Sequence, residues 1–95
     1  MDNEPERAVL AALGNKTRLR IVELLAEAGL TGALPSELAD AVGVPRNLLG
    51  AHLLVLEKAG VVVAERRGRN RICRIEATAL LTVSKTLERL ARAGT

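Results

Sequence analysis

In the stretch PSELADAVGVPRNLLGAHLLVLEKAG, residues 35–60, two helix-forming segments are separated only by Gly43 and Val44. The first begins at Pro35 and is closed by Gly43; the second has Pro45 in its first turn and is closed by Gly60. Leu49, Leu53 and Leu56 recur at the spacing of one helical face, so the second segment carries an apolar stripe. So short a joint leaves the two helices little freedom of angle. Two short amphipathic helices around a glycine-containing turn form a helix-turn-helix.

The flanking segments extend this reading. Pro5, with Glu4 and Glu6 at the positive end of the dipole, starts a helix that runs to Leu13 and stops at Gly14 and Asn15. KTRLRIVELLAEAG follows, with Thr17 as N-cap, Leu19, Ile21, Val22 and Leu25 on one stripe, and Gly29 as the stop. LTGAL is a loop with room for one short extended pairing. After Gly60, VVVAER and RICRIE are β-branched runs that predict a hairpin, with Cys73 and Ile75 on one side. Its RGRN connection, in which Gly68 and Asn70 tolerate positive φ, predicts a loop of about three or four residues. In ATALLTVSKTLERLARAG, Leu80, Val83, Leu87 and Leu90 form a long helical stripe. The predicted fold is mainly α with a small β-hairpin, in the order α-α-α-α-β-β-α. A hairpin directly after a helix-turn-helix is a wing, so the class is winged helix-turn-helix. No repeat, linker or low-complexity segment divides residues 1–95, which read as a single domain.

The chain has no Phe, Tyr or Trp. Its core must therefore be aliphatic and closely packed. Readers of single-stranded nucleic acid stack bases on aromatic rings, and that class is excluded. No apolar run approaches the ~20 residues of a membrane span, so no membrane partner is expected. The acidic N-terminus MDNEPERAVL lacks a signal-peptide core, and the single cysteine, Cys73, agrees with a reducing compartment; the expected localisation is cytoplasmic.

Charge is uneven. Arg66, Arg67, Arg69, Arg71 and Arg74 lie within nine positions that hold no acid, so the rest of a chain of net charge +3 sums to −2. By itself such a run is more often a solvated surface than a binding site. Its place at the hairpin tip makes it informative.

Three stretches in order resemble the ArsR-type winged-helix regulators. ALGNKTRLRIVELL is similar to that family's opening helix, ELADAVGVPRNLLGAHLLVLEKAGVV to its helix-turn-helix block, and RRGRNRICRI to its wing. The resemblance covers residues 8–92 and implies a double-stranded DNA-binding regulator, a repressor acting as a homodimer on a two-fold symmetric operator. Arg46, Asn47, Gly50 and Ala51 of the recognition helix would then face the major groove. Arg46 suits guanine O6 and N7, or a phosphate; Asn47 suits adenine, or a local bond in the first turn. Where relatives carry serine and a Ser-Arg pair, this chain has Pro45 and Gly50-Ala51. Ala51 can touch a thymine methyl but cannot donate a hydrogen bond. His52, the only histidine, suits packing or a phosphate contact.

In the wing, Arg69, Asn70 and Arg71 at the tip suit phosphate or a narrow minor groove. Arg66 and Arg67 suit the same role, or pairing with Glu65 and other surface acids. Lys16, Arg18 and Arg20 are accounted for by salt bridges to Glu23 or Glu27. Val9, Leu10 and Leu13 of the first helix, with Leu80, Leu81, Val83, Leu87 and Leu90 of the last, exceed what one small core needs and predict the dimer interface.

Metal-sensing relatives need clustered thiolates, imidazoles or carboxylates. The third and last helices hold no cysteine or histidine, and Asp2, Glu4 and Glu6 are too hard a set for a soft metal. No metal, cofactor or catalytic residue is expected, and Cys73 reads as a small core filler. The effector is not legible. The competing class is a winged-helix protein-interaction module whose basic hairpin docks an acidic partner, kept open by Gly50-Ala51.

Overall fold

The computed structural model describes residues 3–95, so Asp2 lies outside the described residues. Five helices and one hairpin follow in the order α1 (Glu4–Leu13), α2 (Lys16–Ala28), a 3₁₀ turn (Gly29–Thr31), α3 (Pro35–Val42), α4 (Arg46–Lys58), β1 (Val62–Arg67), β2 (Asn70–Ile75) and α5 (Ala77–Ala93). This is the predicted order.

Local details differ where two residues could each do a job. Asn15, not Thr17, caps α2: its backbone is extended and its side-chain oxygen accepts the Arg18 N–H at 3.0 Å. Thr17 is thereby drawn inside the first turn. Pro45 likewise precedes α4 as its N-cap, with ψ 151°, and its carbonyl accepts the Leu49 N–H at 2.9 Å. Glu37 reaches back to the Leu34 N–H at 2.8 Å, half of a capping box at the start of α3. Gly43 ends α3 in the left-handed region, φ 75° and ψ 34°, and this turns the chain into α4 within two residues.

The core is aliphatic. Ile21 and Leu25 of α2, Leu38 of α3 and Leu49, Leu53 and Leu56 of α4 are fully buried, joined by Val61, Val62 and Cys73. Leu19 was expected on the α2 stripe but is exposed, because its position falls beyond the edge marked by Val22. Among the described residues no polar side chain is buried.

Strands β1 and β2 pair antiparallel from Val62 opposite Ile75 to Arg67 opposite Asn70. Only Gly68 and Arg69 remain in the loop, one or two fewer than expected. Gly68 alone supplies the positive φ, +63°, while Asn70 stays in the strand. A glycine at the first of two loop positions suits the twist of a tight hairpin. The short pairing foreseen in LTGAL exists: Ala33 and Cys73 exchange two backbone hydrogen bonds of 2.9 Å. At Gly32, φ +71°, a Cβ would lie 2.5 Å from the Cys73 carbonyl oxygen, so only glycine fits this crossing.

Helix α5 buries only Val83. Val83 and Val9 were expected on exposed stripes, but both are covered within the chain where α1 packs on α5. Thr86 Oγ1 donates to the Glu6 carboxylate across that contact. The stripe then runs on past the core: Leu87 is 49% and Leu90 54% exposed. Leu10 is exposed on α1, while Leu13 and Leu80 are partly buried against the core. Leu81 is exposed but lies on the other side of α5, in line with Lys85, Glu88 and Arg92. The molecule measures 48 × 24 × 23 Å along its principal axes.

Candidate nucleic-acid interface

Helix α4 is amphipathic in an unusual sense. Leu49, Leu53 and Leu56 face the core. Directly opposite, at i, i+4, i+7 and i+11, lie Asn47, Ala51, Leu54 and Lys58, all exposed. Arg46 and Gly50 share one flank with Glu57; Leu48 and Val55 occupy the other. The side chains of Arg46, Asn47 and Lys58 make no ion pair or side-chain hydrogen bond among the described residues. A Cβ at Gly50 would meet nothing within 4 Å. The leading end and outer face of α4 are therefore open to a partner. Leu54 and Lys58 were absent from the sequence-based set, although the same helical period that links Asn47 to Ala51 points to both.

His52 behaves differently. It is partly buried between α4 and α2, with Nδ1 3.4 Å from Arg18 Nη1. A guanidinium only donates, so Nδ1 is the acceptor and a neutral ring carries its proton on Nε2. Arg18 also donates through Nε to the Ala12 carbonyl at 2.7 Å and through Nη2 to the Ala11 carbonyl at 3.4 Å. It was expected to pair with Glu23 or Glu27; it instead caps the end of α1 and holds α4 beside it. Arg20 does approach Glu23, at 3.9 Å.

The hairpin sorts its arginines by face. Strand alternation puts Ala64 and Arg66 opposite Cys73 and Arg71 on the inner face, and Glu65 and Arg67 opposite Ile72 and Asn70 on the outer one. On the outer face Glu65 accepts from Arg67 at 2.6 Å and from Arg74 at 3.5 Å. The Arg67 hydrogen bond, followed by that of Arg74, holds the Glu65 carboxyl below its usual range. On the inner face Arg66 and Arg71 are directly opposed like charges, a destabilising pair unless one is neutralised. Glu57 of α4 does this by an ion pair to Arg71. Among the described residues, Arg66 and Arg69 are left without an acidic partner. Arg71, expected beside Arg69 as a phosphate contact, is also tied to Glu57 while its side chain stays largely exposed. Arg66, Arg69, Asn70 and Arg71, with Ala64, line a shallow dent of about 210 Å³ on the wing.

Cys73 is buried at the base of the hairpin, and desolvation pushes its thiol pKa up, against a weaker pull from Arg71. Among the described residues no three His, Cys, Asp or Glu side chains are grouped to hold a metal. No helix among them is long and apolar enough to cross a membrane.

A short helix, a glycine turn, an open second helix and a basic hairpin at its side define a winged helix-turn-helix. Residues 13–65 match the family described as helix-turn-helix domain. The chain is 40% identical over 67 residues to the HTH-type transcriptional repressor SmtB of Mycobacterium tuberculosis, covering 70% of this chain and 47% of that protein. It thus spans about half the length of that curated relative. An ArsR-like transcriptional regulator from Rhodococcus sp. RHA1 superposes with a TM-score of 0.78 at 31% identity, over 94% of this chain and 81% of the other. A homodimeric winged helix-turn-helix DNA-binding domain from Mycobacterium bovis gives 0.72 at 28% identity, over 96% and 79%. The chain belongs to the ArsR/SmtB family of winged helix-turn-helix regulators.

Proposed function

We propose that residues 1–95 act as one winged-helix unit that binds double-stranded DNA in the cytoplasm as a homodimer and represses transcription by occupying a two-fold symmetric operator. The observation that carries this reading is the open outer face of α4 beside a wing whose Arg66 and Arg69 have no acid partner among the described residues. Arg46 and Asn47 at the leading end of α4 suit base edges in the major groove; Gly50 and Ala51 follow one turn on. Arg66, Arg69 and Asn70 suit phosphates or the minor groove alongside. Arg67 and Arg71 act mainly within the wing, and His52 acts by positioning α4. For the second copy, Leu87 and Leu90 supply an apolar stripe that outruns the core, with Leu10, Leu13 and Leu80 beside it and Val9 and Val83 beneath. Two such copies would set their recognition helices about one DNA turn apart, roughly 34–36 Å.

Selection of bound duplexes from a random pool at two salt concentrations tests the reading. A two-fold symmetric motif, bound more weakly at the higher salt, is the expected result. A pool that enriches no motif, together with stoichiometric capture of an acidic protein, would establish the interaction module instead.

A further inference from the structure

Along the outer face of α4 the two ends are polar or charged and the centre is apolar, an apolar surface that Leu48 and Val55 continue onto one flank. Arg46 and Asn47 stand at its leading end and Lys58 at its trailing end; between them Gly50, Ala51 and Leu54 offer no polar side-chain atom. Leu54 is 51% exposed, Ala51 is exposed, and position 50 opens onto empty space. Nothing inside the chain requires these residues. A glycine in mid-helix weakens the helix relative to alanine, and no neighbour here would obstruct a side chain. The apolar stripe of α1 and α5 lies elsewhere in the fold.

We propose that this ledge reads thymine: Ala51 and Leu54 pack on the 5-methyl groups of thymines in the major groove, and the bare Gly50 lets the helix come close enough for so short a side chain as Ala51 to reach them. The inference rests on the DNA-binding reading above and names its specificity. In the major groove the thymine methyl is the apolar group that base pairs present, while the groove walls are lines of phosphate. The ledge matches that pattern. Its apolar centre lies between Arg46 and Lys58 on α4, with Arg66 and Arg69 on the wing that packs against the helix, and none of the four has an acidic partner among the described residues. An apolar protein surface would leave those cations facing nothing of opposite charge. Ala51 and Leu54 are three residues apart, about 4.5 Å along the axis, so they fall against neighbouring base pairs, about 3.4 Å apart.

The first arm of the test alters only the DNA. In the motif selected from random duplexes, each thymine is replaced singly by deoxyuridine, which keeps every hydrogen-bonding edge and removes only the methyl group. Affinity is measured by fluorescence anisotropy at fixed salt. One or two thymines in each half-site are expected to lose about fourfold in affinity, the effect of one buried methyl-sized group. In Leu54→Ala and Ala51→Gly the loss at the corresponding base should disappear. Gly50→Ala should raise the melting temperature while weakening binding. An enriched motif in which uracil is bound as tightly as thymine at every position overturns this inference and leaves the DNA-binding reading standing. A pool that enriches no motif overturns both.

Discussion

The wing and the recognition helix differ most in how much of their charge is available. Residues 66–74 hold five arginines, whereas the exposed side of α4 holds two cations, Arg46 and Lys58. Yet Glu65 occupies Arg67 and Arg74, and Glu57 occupies Arg71, so the wing retains two unpaired arginines while α4 keeps both of its cations. Several wing arginines therefore build the hairpin and fasten it to α4. Charge density along the chain overstates what a ligand would meet. The two regions also divide their tasks: unpaired cations on the wing suit sequence-independent attraction, and the nearly uncharged ledge of α4 suits discrimination between bases.

The strongest way to break this comparison is to remove the two free wing cations. Arg66→Ala with Arg69→Ala should weaken binding to any duplex by roughly a hundredfold in the dimer, and the slope of log affinity against log salt should shrink by about one for each phosphate no longer neutralised. Equal weakening of specific and random duplexes in a salt titration is the expected pattern; an effect confined to the specific site would contradict it. Arg46→Ala should act in the opposite way. It should cost about 1–3 kcal/mol on the specific site, relax selection at one base pair, and leave random duplex binding nearly unchanged.

Arg71 sharpens the contrast further. Because Glu57 neutralises it, Arg71→Ala should reduce affinity less than Arg69→Ala does, and Glu57→Gln should raise random duplex affinity a few-fold by releasing a cation. The smallest effect concerns Glu65. Its carboxyl is held below the usual range by Arg67 and then Arg74, so its contribution to stability is complete above the ordinary carboxylate range and disappears as pH falls through the lowered value. Melting temperature followed against pH should show a slight acid-side decline that Glu65→Gln lacks.

The element order was legible because prolines and glycines punctuate it: Pro35 opens α3, Gly43 closes it and Gly68 turns the hairpin. Boundaries were less so. Asn15 and Thr17 are both capping residues two positions apart, and composition does not decide between them. In the candidate interface, the exposure of Arg46, Asn47 and the tip residue Arg69 could be read from position alone. The pairing of Arg71 was not legible because its partner Glu57, fourteen positions away, arrives only when α4 and the hairpin pack. Arg18 reaches His52 across 34 positions, a contact that helical spacing cannot encode. Leu54, by contrast, lies in plain helical register with Asn47 and Ala51, about one turn further along the face than the latter.

Gly32 has a mechanical consequence. With no side chain there, the loop before α3 lies so close to β2 that the foot of the hairpin opens only when the surrounding helices open too. Amide protons of Ala33 and Cys73 should then exchange at rates set by global unfolding, while those flanking Gly68 exchange freely. On that pattern of exchange the hairpin would be a stiff post with a loose fingertip, and any adjustment to a curved surface would fall to its last few residues.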